Sequence, residues 1–180
     1  MSVTAQISDT FIFRGDEYML IGIDGPELFS PEAFGMVPKM IHTACYRGYY
    51  ATYELAKDAL YLRNLTMLER KGKYVPIGGV KAVKEMFAYN YSDIAMQIPF
   101  TGNVRLAKGL IEESHINMGF PKAKSFKTIF DITMENGRVV QIHDRSSEME
   151  EKRDANKNSC PGKNSIQNIE DAFSLDMDLE

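Results

Sequence analysis

An arginine inside a run of tyrosines is the feature of this sequence whose chemistry is most distinctive. If segment 43–55 is extended, Arg47, Tyr49 and Tyr53 share one face of the strand, because alternate side chains point the same way. On the inner face of a barrel, this guanidinium among phenols would suit an anionic small molecule. On an outer face, the same residues would have the composition of an interface hot spot. A third interpretation is structural, with Arg47 stacked on the tyrosines and paired with Glu54 or another acid.

Histidines give the second set of candidates. The sequence has three, His42, His115 and His143, and none has the spacing of a helical ligand pair or a neighbouring cysteine cluster, so we predict no metal site. His115 follows Glu112 and Glu113 and could act as a general base. No Gly-x-Ser-x-Gly elbow and no phosphate-binding glycine loop accompany it. We therefore expect no catalytic residue and no cofactor.

The last segment, residues 166–180, combines acidic and apolar side chains. It contains five Asp or Glu and no Lys or Arg, together with apolar residues that include Ile169 and Phe173. Such a segment can serve only to solubilise, or it can fold on a partner with its acids facing a basic surface. The apolar residues keep docking open beside solubilisation, because a purely solvating tail has no use for them. Ile169 and Phe173 are therefore candidate binding residues.

Charge is distributed unevenly along the chain. The formal net charge is −4, but residues 145–180 hold 5 Lys or Arg against 9 Asp or Glu, which leaves 16 against 16 for residues 1–144. A neutral body with an acidic end lacks the basic surface that neutralises phosphates, so we expect no nucleic-acid partner. The expected partner is a protein that is basic where it meets the tail.

The sequence as given shows no targeting feature. Its first ten residues have neither a basic start nor a long apolar run, which argues against a secretory signal. No stretch is apolar over the length that a bilayer requires, so we expect no membrane association. Cys45 and Cys160 are too few for a disulfide framework. These features are typical of a cytoplasmic protein with free thiols.

Residues 91–106 show the period that organises the rest of the chain. Alternate positions are apolar from Ile94 onward, as expected for a half-buried strand. A similar alternation follows at 126–134, and Asn136-Gly137 is a strong hairpin signal. About eight such strands without βα alternation predict an all-β domain with one or two short helices, built as an antiparallel sandwich or a half-closed barrel.

Shorter segments fill in the expected elements. Residues 39–55 and 60–68 are expected to pair as an aromatic hairpin. A helical turn is expected after Ser30, which precedes a proline, and another is expected at 81–88.

The composition changes after Asp144. Residues 146–162 are rich in Glu, Lys, Asn and Ser and show no periodicity. We therefore predict an antiparallel β domain at 1–144, a flexible polar linker at 145–165, and a disordered, acidic and amphipathic tail at 166–180.

Two signatures in the chain resemble a known group of proteins. The first is the Arg-Gly-aromatic strand Arg47-Gly48-Tyr49, and the second is the element 115–120, His-Ile-Asn-Met-Gly-Phe. Together they resemble a family of small bacterial β-rich proteins that has no established activity. The resemblance covers about residues 10–143 and implies a bacterial, cytosolic, single-domain protein. It transfers no catalytic residue.

These observations lead to one expected function and two alternatives. The expected function is a non-catalytic protein-binding module, such as an immunity-type or regulatory protein that caps a basic partner. The first alternative is a lipocalin-like binder of a small molecule, with Arg47, Tyr49 and Tyr53 at the pocket. The second is an enzyme that uses His115 and nearby acids, which would need a concave site joining them to Arg47.

Overall fold

Strands dominate the computed structural model, which describes residues 6–111 and 123–157. Within these residues lie ten strands, one α-helix, and two short 3₁₀ turns at Pro31–Phe34 and Ala123–Ser125. The prediction of an all-β fold is confirmed. The elements are β1 Thr10–Phe13, β2 Asp16–Asp24, β3 Tyr49–Ala56, β4 Ala59–Met67, β5 Val83–Glu85, β6 Ala88–Tyr91, β7 Met96–Gln97, β8 Gly102–Leu110, β9 Phe126–Glu135, β10 Arg138–Asp144 and α1 Ser146–Lys157.

All ten strands belong to one mixed sheet. The order is β10-β9-β8-β2-β1-β3-β4-β6-β5, and β7 pairs with β4. β4 also pairs with β10, at Ala59 and Arg138, so the strands from β10 to β4 form a ring and the β5–β6 hairpin extends beyond it. Because a single residue pair closes this ring, the arrangement corresponds to the predicted half-closed barrel.

One pairing is parallel, which the antiparallel prediction did not include. β1 pairs with β3 in parallel, with Thr10 opposite Thr52. Parallel neighbours need a long connection, and residues 25–48 between β2 and β3 supply it. The register also places Asp9, just before β1, next to Ala51, whose backbone N–H donates to the Asp9 carboxylate at 2.7 Å.

The apolar alternation that begins at Ile94 does mark the core, but it spans two strands. Between β7 and β8 the chain is irregular, because Pro99 has no N–H to donate to a ladder. Gly102 then begins β8 so close to β2 that a Cβ atom there would lie 2.2 Å from the Asp24 carbonyl oxygen. The buried members of the alternation are Ile94, Ile98, Phe100, Val104 and Leu106.

Two segments differ from their predicted structures. The aromatic strand begins at Tyr49 instead of Lys39, because Gly48 turns the chain at φ +82° against the backbone of Lys39. Residues 81–88, predicted as a short helix, form most of the β5–β6 hairpin. Cross-strand pairing of β6 with β4 satisfies backbone groups there that a helix would have satisfied internally.

The predicted flexible linker at 145–165 is wrong over its first half, since Ser146–Lys157 form helix α1. Asp144 caps the start of α1 by accepting hydrogen bonds from the backbone and hydroxyl of Ser146, at 2.9 and 2.6 Å. Met149 is buried in a second apolar cluster, which α1 closes over the sheet. The other buried members of that cluster are Ile21, Ala107, Phe126 and Ile129. Residues 158–165 and the predicted tail at 166–180 lie outside the described residues.

Ion pairs add to the contact between α1 and the sheet. Arg145 binds Asp131 of β9 at 3.2 Å and Glu148 of α1 at 2.8 Å. Arg105 of β8 makes two hydrogen bonds to the same Asp131 carboxylate, at 2.7 and 2.9 Å. Helix α1, which has one buried apolar side chain, is thus joined at its start to β9 through the ion pair between Arg145 and Asp131.

Within the described residues, no helix has the length and apolarity needed to cross a membrane.

Candidate functional site

Arg47 lies in the turn that leads into β3 and is held from two sides. Asp9 forms an ion pair with its guanidinium, and the Arg47 Nε–H donates to the Tyr49 carbonyl at 2.6 Å. The guanidinium carbon also lies 4.5 Å from the centre of the Tyr49 ring, within cation–π range. The Arg47 side chain is only 33% exposed. We call this arrangement of Asp9, Arg47 and Tyr49 the Arg47 clasp.

Charge in the clasp is balanced. The Asp9 side chain is only 5% exposed and accepts from Arg47 and from the Ala51 N–H. Burial alone would lower the pKa of Arg47, but the charge and hydrogen bond of Asp9 outweigh burial and raise it. Because Asp9 already neutralises the guanidinium, an incoming anion would have to displace a buried carboxylate. This geometry fits the structural interpretation of Arg47, with Asp9 as the acid.

Tyr49 and Tyr53 point inward and belong to the main apolar core. Burial raises the pKa of Tyr49 to about 12 and that of Tyr53 well above its usual value, so both phenols are neutral at physiological pH. The Tyr49 hydroxyl donates to the Phe29 carbonyl at 3.4 Å, and the Tyr53 ring packs 5.2 Å from that of Phe11. Their conspicuous sequence pattern therefore reflects packing in the barrel interior.

Other candidate residues have separate surroundings. Glu54 does not meet Arg47 but pairs with Arg63 at 3.2 Å. Cys45 is buried, and burial raises the pKa of its thiol, which disfavours the reactive thiolate. His115 lies outside the described residues, as do the tail residues Ile169 and Phe173.

Metal-ligating side chains do not converge in the described part of the chain, where no group of three or more His, Cys, Asp or Glu could hold an ion. His42 accepts through Nδ1 from the Ala44 N–H at 3.2 Å. His143 lies with Nε2 at 2.9 Å from the Glu148 carboxylate. These two histidines therefore have local structural partners.

The β5–β6 hairpin presents a feature that the sequence analysis missed. Its turn residues Met86 and Phe87 are 86% and 80% exposed, and Val83 on β5 is exposed beside them. Phe87 is the one exposed phenylalanine in the described residues. Met86 adopts φ +48°, a left-handed conformation that Gly, Asn or Asp adopt more readily. The apolar residues at 80, 83 and 87 fit a helical period as well as a hairpin, and this explains why a short helix is predicted at 81–88.

Several basic residues precede this turn in the sequence. Between residues 70 and 87 the sequence has five Lys or Arg and one acid, Glu85. The side-chain amide of Asn90 donates to that acid. All five basic residues are exposed, and they are Arg70, Lys71, Lys73, Lys81 and Lys84.

The basic loop 70–73 is fixed next to the hairpin. Glu69 accepts hydrogen bonds from the backbone N–H groups of Lys73, Val37 and Lys71, at 2.8, 3.0 and 2.6 Å. These bonds, led by that of Lys73, lower the pKa of Glu69. Beyond the loop, the Tyr74 ring stacks on Tyr89 of β6 at 3.8 Å.

The exposed apolar turn and the exposed basic residues that precede it are treated together as one candidate surface. We call it the hairpin surface, and it comprises loop 70–73 with Lys81, Val83, Lys84, Met86 and Phe87.

Comparison with protein-family models, with curated proteins and with solved structures found no match for this chain.

Proposed function

We propose that this chain is a non-catalytic protein-binding module and that the hairpin surface is where it binds. The observation that carries the proposal is the exposure of Met86 and Phe87 on a turn with a left-handed methionine. The resemblance to small bacterial proteins supports a bacterial, cytoplasmic setting for this module.

The folded chain gains little from these two residues. Neither side chain packs into the two apolar clusters of the described residues. Burying a side chain of this size would be worth about 1.5–3 kcal/mol, and a left-handed methionine costs about 1–2 kcal/mol. In the free protein the burial free energy is not gained and the strain remains a cost, and contact with a partner would supply the burial free energy. An exposed aromatic residue beside an exposed methionine is also the composition enriched at interfaces.

The charge of the hairpin surface defines the partner. Lys84 lies two residues before the apolar turn and Lys81 five, and both are exposed, so a complementary protein would have an apolar pocket with an acidic rim. This chemistry differs from that of the basic partner expected for the tail. A regulatory or immunity-type capping function could use both surfaces, with Ile169 and Phe173 of the tail reaching a basic region of the same complex.

The test replaces Met86 and Phe87 by Asn and Gly, the dipeptide found at positions 136 and 137. Met86→Asn/Phe87→Gly removes the apolar turn and keeps residues suited to a hairpin, so folding should be preserved. Wild type, this variant and the control Val140→Thr, altered at an exposed apolar residue of β10, are each used to capture proteins from host lysate.

We expect a stoichiometric partner that wild type and Val140→Thr retain and that Met86→Asn/Phe87→Gly loses, although its melting temperature is unchanged or higher. Equal recovery of that partner by all three proteins would contradict the proposal.

A further inference from the structure

The sequence contains a segment whose chemistry complements the hairpin surface. Residues 166–180 have five acids and no Lys or Arg, whereas residues 70–87 have five Lys or Arg and one acid. The segment also carries Ile169, Phe173 and Met177, apolar residues that recur every four positions. It therefore has the two properties required of a partner for the hairpin surface, apolar side chains and surrounding negative charge.

We propose that residues 166–180 bind the hairpin surface of the same chain and that a protein partner has to displace them. This inference rests on the proposed function, because it takes the hairpin surface to be the binding site. The basic region that the acidic tail is suited to meet is then part of this protein itself. The tail acts as an internal competitor whose composition resembles that of the external partner.

The chain is long enough for this contact. Helix α1 ends at Lys157, and residues 158–172 precede Phe173. Fifteen residues can span about 50 Å when extended. A domain of this size has a radius of gyration of about 15 Å and is thus about 40 Å across. The path halfway round such a domain is about 60 Å, so Phe173 can reach most of the surface from the end of α1.

Tethering makes even a weak contact effective. A covalent tether of this length gives an effective concentration of the order of millimolar, so a segment of modest intrinsic affinity would occupy the surface most of the time. If it is bound for about nine-tenths of the time, the external partner binds about tenfold more weakly than it would to the free surface. Neutralising the tail acids should then strengthen partner binding by about that factor.

The experiment places the photoreactive residue p-benzoylphenylalanine at position 87 of the full chain. Phe87 is 80% exposed, so the larger side chain should not disturb folding. The purified protein is irradiated at low concentration, and the cross-linked peptides are identified by mass spectrometry. We expect a cross-link to residues 166–180 within one chain. A cross-link to another segment, to a second copy, or to nothing would overturn the inference.

Charge variants then test whether the contact is electrostatic. Lys81→Glu/Lys84→Glu should reduce the cross-link to the tail at least fivefold, and adding Glu170→Lys/Asp171→Lys should restore it. The matched control Glu150→Gln/Glu151→Gln changes two exposed acids of α1 and should leave the yield unchanged. If the control lowers the yield as strongly as the charge reversal does, the contact is not specific and the inference fails.

Two further outcomes separate this inference from the function on which it rests. If position 87 cross-links a lysate protein but never the tail, the inference fails and the binding function stands. A lipid surface is tested with Phe87→Trp, which would be the only tryptophan in the chain. If anionic phosphatidylglycerol vesicles shift its emission to the blue and neutralising the tail acids does not change it, the surface binds membranes and the inference is overturned.

Discussion

Arg47 and Phe87 both lie in turns that lead into a strand, but their side chains end in opposite surroundings. Arg47 carries a charge and is mostly enclosed, with Asp9, the Tyr49 carbonyl and the Tyr49 ring as partners. Phe87 is apolar and stands in solvent among lysines, outside both apolar clusters of the described residues. By residue type alone, Arg47 is the better functional candidate. When their contacts are compared, however, the Arg47 guanidinium already has its charge and hydrogen-bond partners within the chain, whereas the Phe87 ring has no apolar cluster of the described residues to pack against.

The difference shows that unsatisfied interactions are a better guide to binding than unusual composition. A buried ion pair whose partners are complete contributes to the stability and specificity of the fold. An exposed aromatic side chain on an unfavourable turn is a cost to the free protein, which a binding partner can offset. The Arg47 clasp should therefore respond to substitution mainly in stability, and the hairpin surface mainly in binding.

A large effect on stability is expected in the clasp. Asp9→Asn removes the charge that faces the Arg47 guanidinium, so an unpaired cation is left in a largely enclosed site. Breaking a buried pair costs about 3–5 kcal/mol, and the partial exposure of Arg47 reduces this to about 2–3 kcal/mol. Urea denaturation measures the loss. Glu54→Gln, which removes the more exposed pair with Arg63, is the control and should cost less than about 1 kcal/mol. Equal losses would show that the clasp is no stronger than a surface ion pair.

A second effect compares the turns themselves. Gly137 of the Asn136-Gly137 turn is packed against the chain, because a Cβ atom there would lie 2.0 Å from the Ile98 carbonyl oxygen. Gly137→Ala adds this clash to the strain of φ +76° and should destabilise the fold by about 2–3 kcal/mol. Gly15→Ala places the same methyl group in open space at φ +80° and should cost only about 1 kcal/mol. Paired thermal melts test this, and a reversed order would contradict the packing of the 136–137 turn.

Alkaline pH should act on the enclosed tyrosines. Burial raises the pKa of Tyr49 to about 12, above the usual value of 10 for an unfolded chain, so the folded state favours the neutral phenol. This contribution is complete below pH 10 and is lost as the pH rises from 10 to about 12, by about 2 kcal/mol in all. In Tyr49→Phe the decline across this window should be shallower. The comparison variant Tyr46→Phe, changed at an exposed residue, should follow wild type. Urea midpoints at pH 9 to 11 provide the measurement.

Local signals in the sequence predict much of this fold. The period-two alternation and the Asn136-Gly137 turn act over a few residues, and both lead to the all-β architecture that is observed. The partner of Arg47 depends instead on the parallel register of β1 and β3, which brings Asp9 across 38 positions of sequence. No short sequence pattern specifies that register. The sequence therefore predicts only that the partner of Arg47 is an acid, and not which acid it is.

Elements of mixed composition were missed for the same reason. Helix α1 is rich in Glu and Lys and resembles a linker, and its order depends on Met149 and Arg145 meeting β9 and its neighbours. Residues 81–88 are predicted to be helical because three apolar residues fit either period, and the competing pairing of β6 with β4 is nonlocal. Because the segment is predicted to be a helix, the sequence does not predict that Met86 and Phe87 are exposed on a hairpin turn.

The smallest change in stability is expected at the hairpin surface. Its sign shows whether Met86 and Phe87 stabilise the fold or not. In Met86→Asn/Phe87→Gly, Asn replaces a left-handed methionine and no core contact of the described residues is lost. The double variant should be as stable as wild type or more stable by up to about 1 kcal/mol. Denaturant midpoints at matched slope measure this difference. A loss above about 1 kcal/mol would mean that Met86 or Phe87 supports the fold, and the hairpin would then resemble the Arg47 clasp. A gain in stability with a loss of partner would mean that the wild-type residues are kept for binding.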